Sequence, residues 1–170
     1  MSIGATFATE LAAETGTTRR VLERVPEDHL ARRPHSKSMS LGQLALHVAT
    51  LPQQLSDFVE GDMLDFGAAA RVAPEASSRQ SLLDAYDVSL AHATRYLTGL
   101  SDVSAMSIWT LKASERTLLA APRAGVIRSF LFNHWYHHRG QLSVYLRLLD
   151  VAVPSVYGLT ADENPFSATD

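Results

Sequence analysis

The chain has 170 residues, 46% hydrophobic and 19% charged, with a formal charge of −3, the size of one domain (1–170) around one core. It contains no cysteine, which excludes disulfides, thiolate metal sites and a cysteine nucleophile of its own. A mildly acidic chain with no basic run, no signal-like N-terminus and no apolar stretch near ~20 residues predicts a cytoplasmic protein, binding neither nucleic acid nor membrane.

The first helix is expected over Ala5 to Val25, where Phe7, Leu11, Thr18, Val21, Leu22 and Val25 recur at helical spacing and Pro26 stops it. A polar stretch, Arg32 to Ser38, follows. The second helix runs from Leu41 to Glu60, opened by a Ser40/Gln43 capping box. Leu41, Leu44, Val48, Leu51, Leu55 and Phe58 form its apolar stripe. Pro52 lies inside it, removes one backbone donor and crowds the carbonyl of Val48, so a kink is expected. A connection of sixteen residues, Gly61 to Ala76, comes next. Extended, it reaches roughly 53 Å against ~30 Å for a twenty-residue helix, enough to cross the whole bundle.

The third helix is expected from Ser77, capped with Gln80, to Leu97, with Leu82, Leu83, Tyr86, Leu90, Ala93 and Leu97 inward and Gly99 ending it. Between Ser101 and Ala121, the alternation of Trp109, Leu111 and Ala113 with polar residues reads as a short strand or an extended loop. The fourth helix starts at Pro122 and continues to about Asp150. Its inward line is Val126 or Ile127, Phe130, His134, His138, Gln141 or Leu142, Tyr145 and Leu149. Residues 154–170 form a tail, an ordered loop fading into disorder, behind a core of about 5–153. Four amphipathic helices predict an all-α four-helix bundle, and the long crossover leaves parallel neighbours open.

Three of the seven histidines, His47, His134 and His138, fall on apolar faces. His134 and His138 are one helical turn apart and project to the same side, so their imidazoles could share a metal at about 2.0–2.1 Å each. A third imidazole from a facing helix would leave further positions for substrate. Seven histidines in 170 residues give roughly 0.3 such pairs by chance, so spacing alone leaves two readings open. One is a metal site; the other is core histidines bonded to backbone carbonyls. Trp135 follows His134 where a zinc protease needs glutamate, and no histidine has a glutamate three residues before it, as di-iron bundles require. His137 points about 100° from His138, His92 is expected in solvent, and His29 and His35 lie in a loop.

The string His134-Trp-Tyr-His-His138-Arg139-Gly140-Gln141 resembles the DinB/YfiT-like family of metalloenzymes. Leu44-Ala-Leu-His47 resembles that family's first metal histidine, and Val153-Pro154-Ser155-Val156-Tyr157-Gly158 the tail after its last helix. The resemblance implies an up-down-down-up bundle and a divalent metal, zinc or nickel, on His47, His134 and His138. It also implies a homodimer and, for the members with assigned chemistry, a low-molecular-weight thiol cosubstrate.

Three neutral imidazoles leave a divalent ion its full charge, which favours an anionic ligand from solution. That charge suits a thiolate or a hydroxide alike; with the thiol chemistry the resemblance implies, a thiol S-transferase acting on a small-molecule substrate is the leading expectation. A hydrolase generating hydroxide and a non-catalytic metal- or ligand-binding dimeric bundle are the alternatives. No general acid or base stands out. Gln141 could touch substrate or serve as a structural amide. Tyr157 could close the pocket or anchor the tail. Arg139 is expected in a helix-surface ion pair or a dimer contact.

Overall fold

The computed structural model describes residues 1–66 and 73–166. Helix α1 (Ile3–Glu23) is capped by Ser2, whose hydroxyl accepts from the Ala5 amide, and α2 (Leu41–Glu60) by the Ser40/Gln43 box. After α2 come strand β1 (Met63–Asp65) and helix α3 (Arg79–Gly99), then a short α4 (Asp102–Met106). The cap of α3 is Ser78 with Ser81, one residue later than the expected Ser77/Gln80 pair. Strands β2 (Ile108–Ala113) and β3 (Arg116–Pro122) follow. The last helix begins as α5 (Arg123–Val126), widens into a π-helical turn (Ile127–Asn133), and continues as α6 (His134–Leu148) without a break. Residues 67–72 of the crossover and 167–170 of the tail lie outside the described residues.

The four long helices pack as a ring, α1 on α3, α3 on α2, α2 on α6, α6 on α1. Their inward side chains, among them Val21, Leu22, Leu44, Val48, Leu82, Tyr86, Leu131 and Trp135, form one buried cluster. At Gly4 a β-carbon would meet the Leu97 and Leu100 carbonyls at 2.4 and 2.5 Å, so α1 approaches the end of α3 with no room for a side chain. Among the described residues no helix is long and apolar enough to cross a membrane.

The all-α expectation needs one correction. Residues 108–122 form a hairpin, and the crossover adds β1, giving a sheet in the order β1-β2-β3. β1 runs parallel to β2, with Leu64 opposite Leu111; β3 runs antiparallel, with Leu119 opposite Leu111 and Ala121 opposite Trp109. Alternation places Trp109 and Leu111 on one face. Trp109 is buried and donates its indole N–H to the Phe58 carbonyl at 3.2 Å. The buried Arg123 donates to the carbonyls of Val59 (2.7 Å) and Gly61 (3.0 Å). Together they satisfy carbonyls that the end of a helix leaves without partners, and fix the sheet against α2.

Candidate metal centre

The site is built where α2 meets α6, and Pro52 explains how the two are joined. A proline has no N–H to give the carbonyl four residues back, that of Val48. Trp135 of α6 supplies the missing donor, its indole N–H reaching the Val48 oxygen at 2.9 Å. The next amide, that of Gln53, donates instead to Ser89 Oγ at 3.0 Å. The proline therefore serves as a socket for Trp135, the residue just after His134, and the socket lies one residue from His47. Trp135→Phe keeps an aromatic ring but orphans the Val48 carbonyl and leaves a small cavity, at an expected cost of at least about 1–3 kcal/mol in urea unfolding.

With the helices so fixed, His47, His134 and His138 converge, one nitrogen of each lying within 4.8 Å of the others. The Nε2 atoms of His134 and His138 are 2.7 Å apart. Two imidazoles bound tetrahedrally at 2.0–2.1 Å stand ~3.3 Å apart, inside the range these three span. Burial, then the neighbouring His138 and His134, pushes His47 down to about 4. Burial likewise lowers His134 and His138. The three rings are thus neutral at pH 7, the form that ligates metal.

The second nitrogens are also assigned. His134 hydrogen-bonds to the backbone of Phe130, and His138 Nδ1 lies 2.8 Å from Gln141 Oε1. A neutral imidazole carries one N–H, and these two oxygens take it. With those tautomers both Nε2 atoms, 2.7 Å apart, present lone pairs to the same point, as ligands of one cation do. Metal-binding histidines have this same outer support. Gln141→Ala is expected to weaken metal binding about 10–100-fold while leaving the stoichiometry at one, as read by chelator competition.

Beside His47 a cavity of about 570 Å³ opens, lined by Gln43, Thr50, Gln54 and Asp57 among others. Asp57 is paired with His92 at 2.8 Å, so His92 is held at the α2–α3 boundary and not in open solvent. His137 is exposed and stands outside the three-nitrogen cluster, as do His29 and His35.

Two expectations about the last helix are corrected. Its buried stripe is Leu131, Trp135, Leu142 and Leu146, and the histidines lie half-buried on the edge of that stripe, facing the crevice. The π turn has a wider pitch than 3.6 residues, so residues before His134 are out of phase with those after it. Phe130 consequently leaves the core and is 36% exposed. Arg139 is not at the surface. It is 1% exposed, with Nη1 at 2.7 Å from Glu14 and 2.8 Å from Thr18 Oγ1, and it donates to the Tyr157 hydroxyl at 2.5 Å. Tyr157 in turn donates to Glu14 at 3.1 Å, which places it on the Arg139 side of α6, joining the tail to α1. Tyr145 donates to the Met39 carbonyl. Trp135 and Ser89 escaped the sequence reading as partners of Pro52, because only the tertiary arrangement brings them to α2.

A mostly helical fold with a cluster of neutral histidines between two facing helices defines a helix-bundle protein with a possible three-histidine metal site. The chain belongs to the DinB family, whose model matches residues 1–165. It is similar to Bacillus subtilis protein YrdA, 26% identical over 151 residues that cover 88% of this chain and 85% of that one. Among solved structures it resembles a DinB-like protein from Bacillus cereus, with a TM-score of 0.69 and 23% identity over 89% of this chain and 95% of that one. The DinB-like protein YjoA from Bacillus subtilis gives a TM-score of 0.66 and 15% identity, covering 89% and 97% of the two chains.

Proposed function

We propose that this protein is a metal-dependent enzyme that transfers groups to or from a low-molecular-weight thiol, with zinc or nickel held by His47, His134 and His138. The observation that carries this reading is the all-imidazole, carboxylate-free donor set, neutral and oriented by the Phe130 backbone and by Gln141. When bound, a divalent ion there supplies a positive charge that lowers the pKa of a thiol. The protein has no thiol of its own, so the thiol comes from solution. Gln43 and Thr50 line the adjoining cavity but are engaged in the α2 cap and the α2 backbone, which leaves the Gln54 amide as its group for a polar cosubstrate. Asp57, a carboxylate of that cavity, is paired with His92 of α3. The same reading carries the family's up-down-down-up helix order, a homodimer and a cytoplasmic location.

Metal content measured after purification without metal-affinity resin, followed by two reaction panels, tests the proposal. One divalent ion per chain and turnover of thiol-plus-electrophile pairs are expected. Turnover of esters and amides alone would move the assignment to a hydrolase. Tight metal retention without turnover in either panel would leave a non-catalytic metal-binding bundle.

A further inference from the structure

We infer that the small molecule handled at the histidine cluster carries an apolar, ring-sized substituent, aryl or branched alkyl, which sits between the sheet and α2 beside His134. This rests on the metal-site reading above and specifies the class of its substrate.

A second cavity, of about 210 Å³, adjoins His134 and is lined by Leu55, Phe58, Leu64, Trp109, Leu111 and Phe130. Each wall has a structural reason to be there. The pairing of β1 with β2 sets Leu64 opposite Leu111, and strand alternation turns Trp109 to the same face as Leu111. The π turn takes Phe130 out of the core and sets it beside His134. The one polar atom on these six side chains, Trp109 Nε1, is already spent on the Phe58 carbonyl.

A cavity with such walls has nothing to hold water in place. An apolar cavity of about 150 Å³ takes up benzene, so 210 Å³ suits one ring with a short substituent. Phe58 lines this cavity and the larger one beside His47, so the two flank the cluster, one of mixed polar and apolar lining and one wholly apolar. A molecule whose donor atom reaches the histidines can place its polar part on one side and its ring on the other. Phe66, 72% exposed and part of the same lining, gives the rim a further aromatic surface.

The test compares benzyl mercaptan with 2-mercaptoethanol, each titrated calorimetrically into zinc-loaded protein. Benzyl mercaptan is expected to bind at least tenfold more tightly, the order that burying a ring-sized apolar group supplies. In Leu64→Trp and Leu111→Trp, which fill the cavity, that ratio should fall to within about twofold of one. Equal affinities in the native protein, or a preference that survives in both variants, would overturn the inference. A separate arm uses toluene on zinc-free native protein, followed by the methyl resonances of Leu64 and Leu111. Saturable shifts there support the cavity even if zinc or both thiols fail to bind, a failure that would count against the metal reading alone. Absence of saturable shifts would overturn the cavity whatever the metal does.

Discussion

His47→Ala protein is expected to bind zinc about a thousandfold more weakly than the native protein. His47 is the one member of the cluster contributed by α2; the other two share α6. Structural zinc sites bind with about 10–16 kcal/mol, so one ligand among three or four accounts for several kcal/mol, or roughly three orders of magnitude. The variant keeps the Trp135–Val48 bond, so the helices remain joined and the loss is specific to the metal. Two measurements check this. Competition with a chromophoric chelator reads affinity, and thermal unfolding with and without zinc reads linkage. At a thousandfold excess over Kd a ligand stabilises the native state by about 4 kcal/mol, and at the same zinc concentration that increment should fall to about 0.4 kcal/mol in the variant. His137→Ala, altering a histidine outside the cluster, should behave as native. Equal metal retention by His47→Ala and the native protein would remove His47 from the site.

The helices were legible because each carries its own signal: a serine cap, a 3.6-residue apolar repeat and a stop. The consequence of Pro52 was half legible. Its missing N–H and the stranded Val48 carbonyl follow from covalent geometry alone. The answer, Trp135, depends on which helix packs there, and no local pattern encodes it. The sheet was only half legible for a related reason. β1 has three residues and pairs with a strand more than forty positions on, so alternation at Trp109, Leu111 and Ala113 was its only trace. The buried line of the last helix was displaced by one residue. Arg139 interrupts the true stripe of Leu131, Trp135, Leu142 and Leu146, and a charged residue in mid-helix reads as a surface position, which turns the line to the neighbouring positions through the histidines. That error bears on chemistry. Histidines buried mid-stripe would be closed to substrate, whereas at its edge they face a crevice.

Arg139→Met is expected to cost about 3–5 kcal/mol while leaving the metal in place, because the motif His-Arg-Gly-Gln points in two directions at once. His138 faces the crevice; Arg139, the next residue, is turned about 100° around the helix into the core on the other side. There its guanidinium meets Glu14 and Thr18 of α1 and Tyr157 of the tail, and lies 5.0 to 5.9 Å from the ring centres of Tyr157, Tyr136 and Trp135. Methionine fills most of the volume, so the loss comes chiefly from Glu14, whose carboxylate loses its guanidinium partner in a site only 17% exposed. Breaking one half of a buried pair is far more harmful than removing both. The double variant Arg139→Met/Glu14→Gln should therefore recover much of the loss, and the non-additivity measures the coupling. At about 2–4 °C per kcal/mol for a chain of this size, the single variant should melt roughly 10 °C lower. Tyr157→Phe, which removes one hydroxyl from the network, should cost about 1 kcal/mol. Zinc stoichiometry, measured beside the melting curves at a temperature where the variant is folded, should remain at one. A single variant that lost zinc yet melted like the native protein would place Arg139 in the service of the metal and not of the fold.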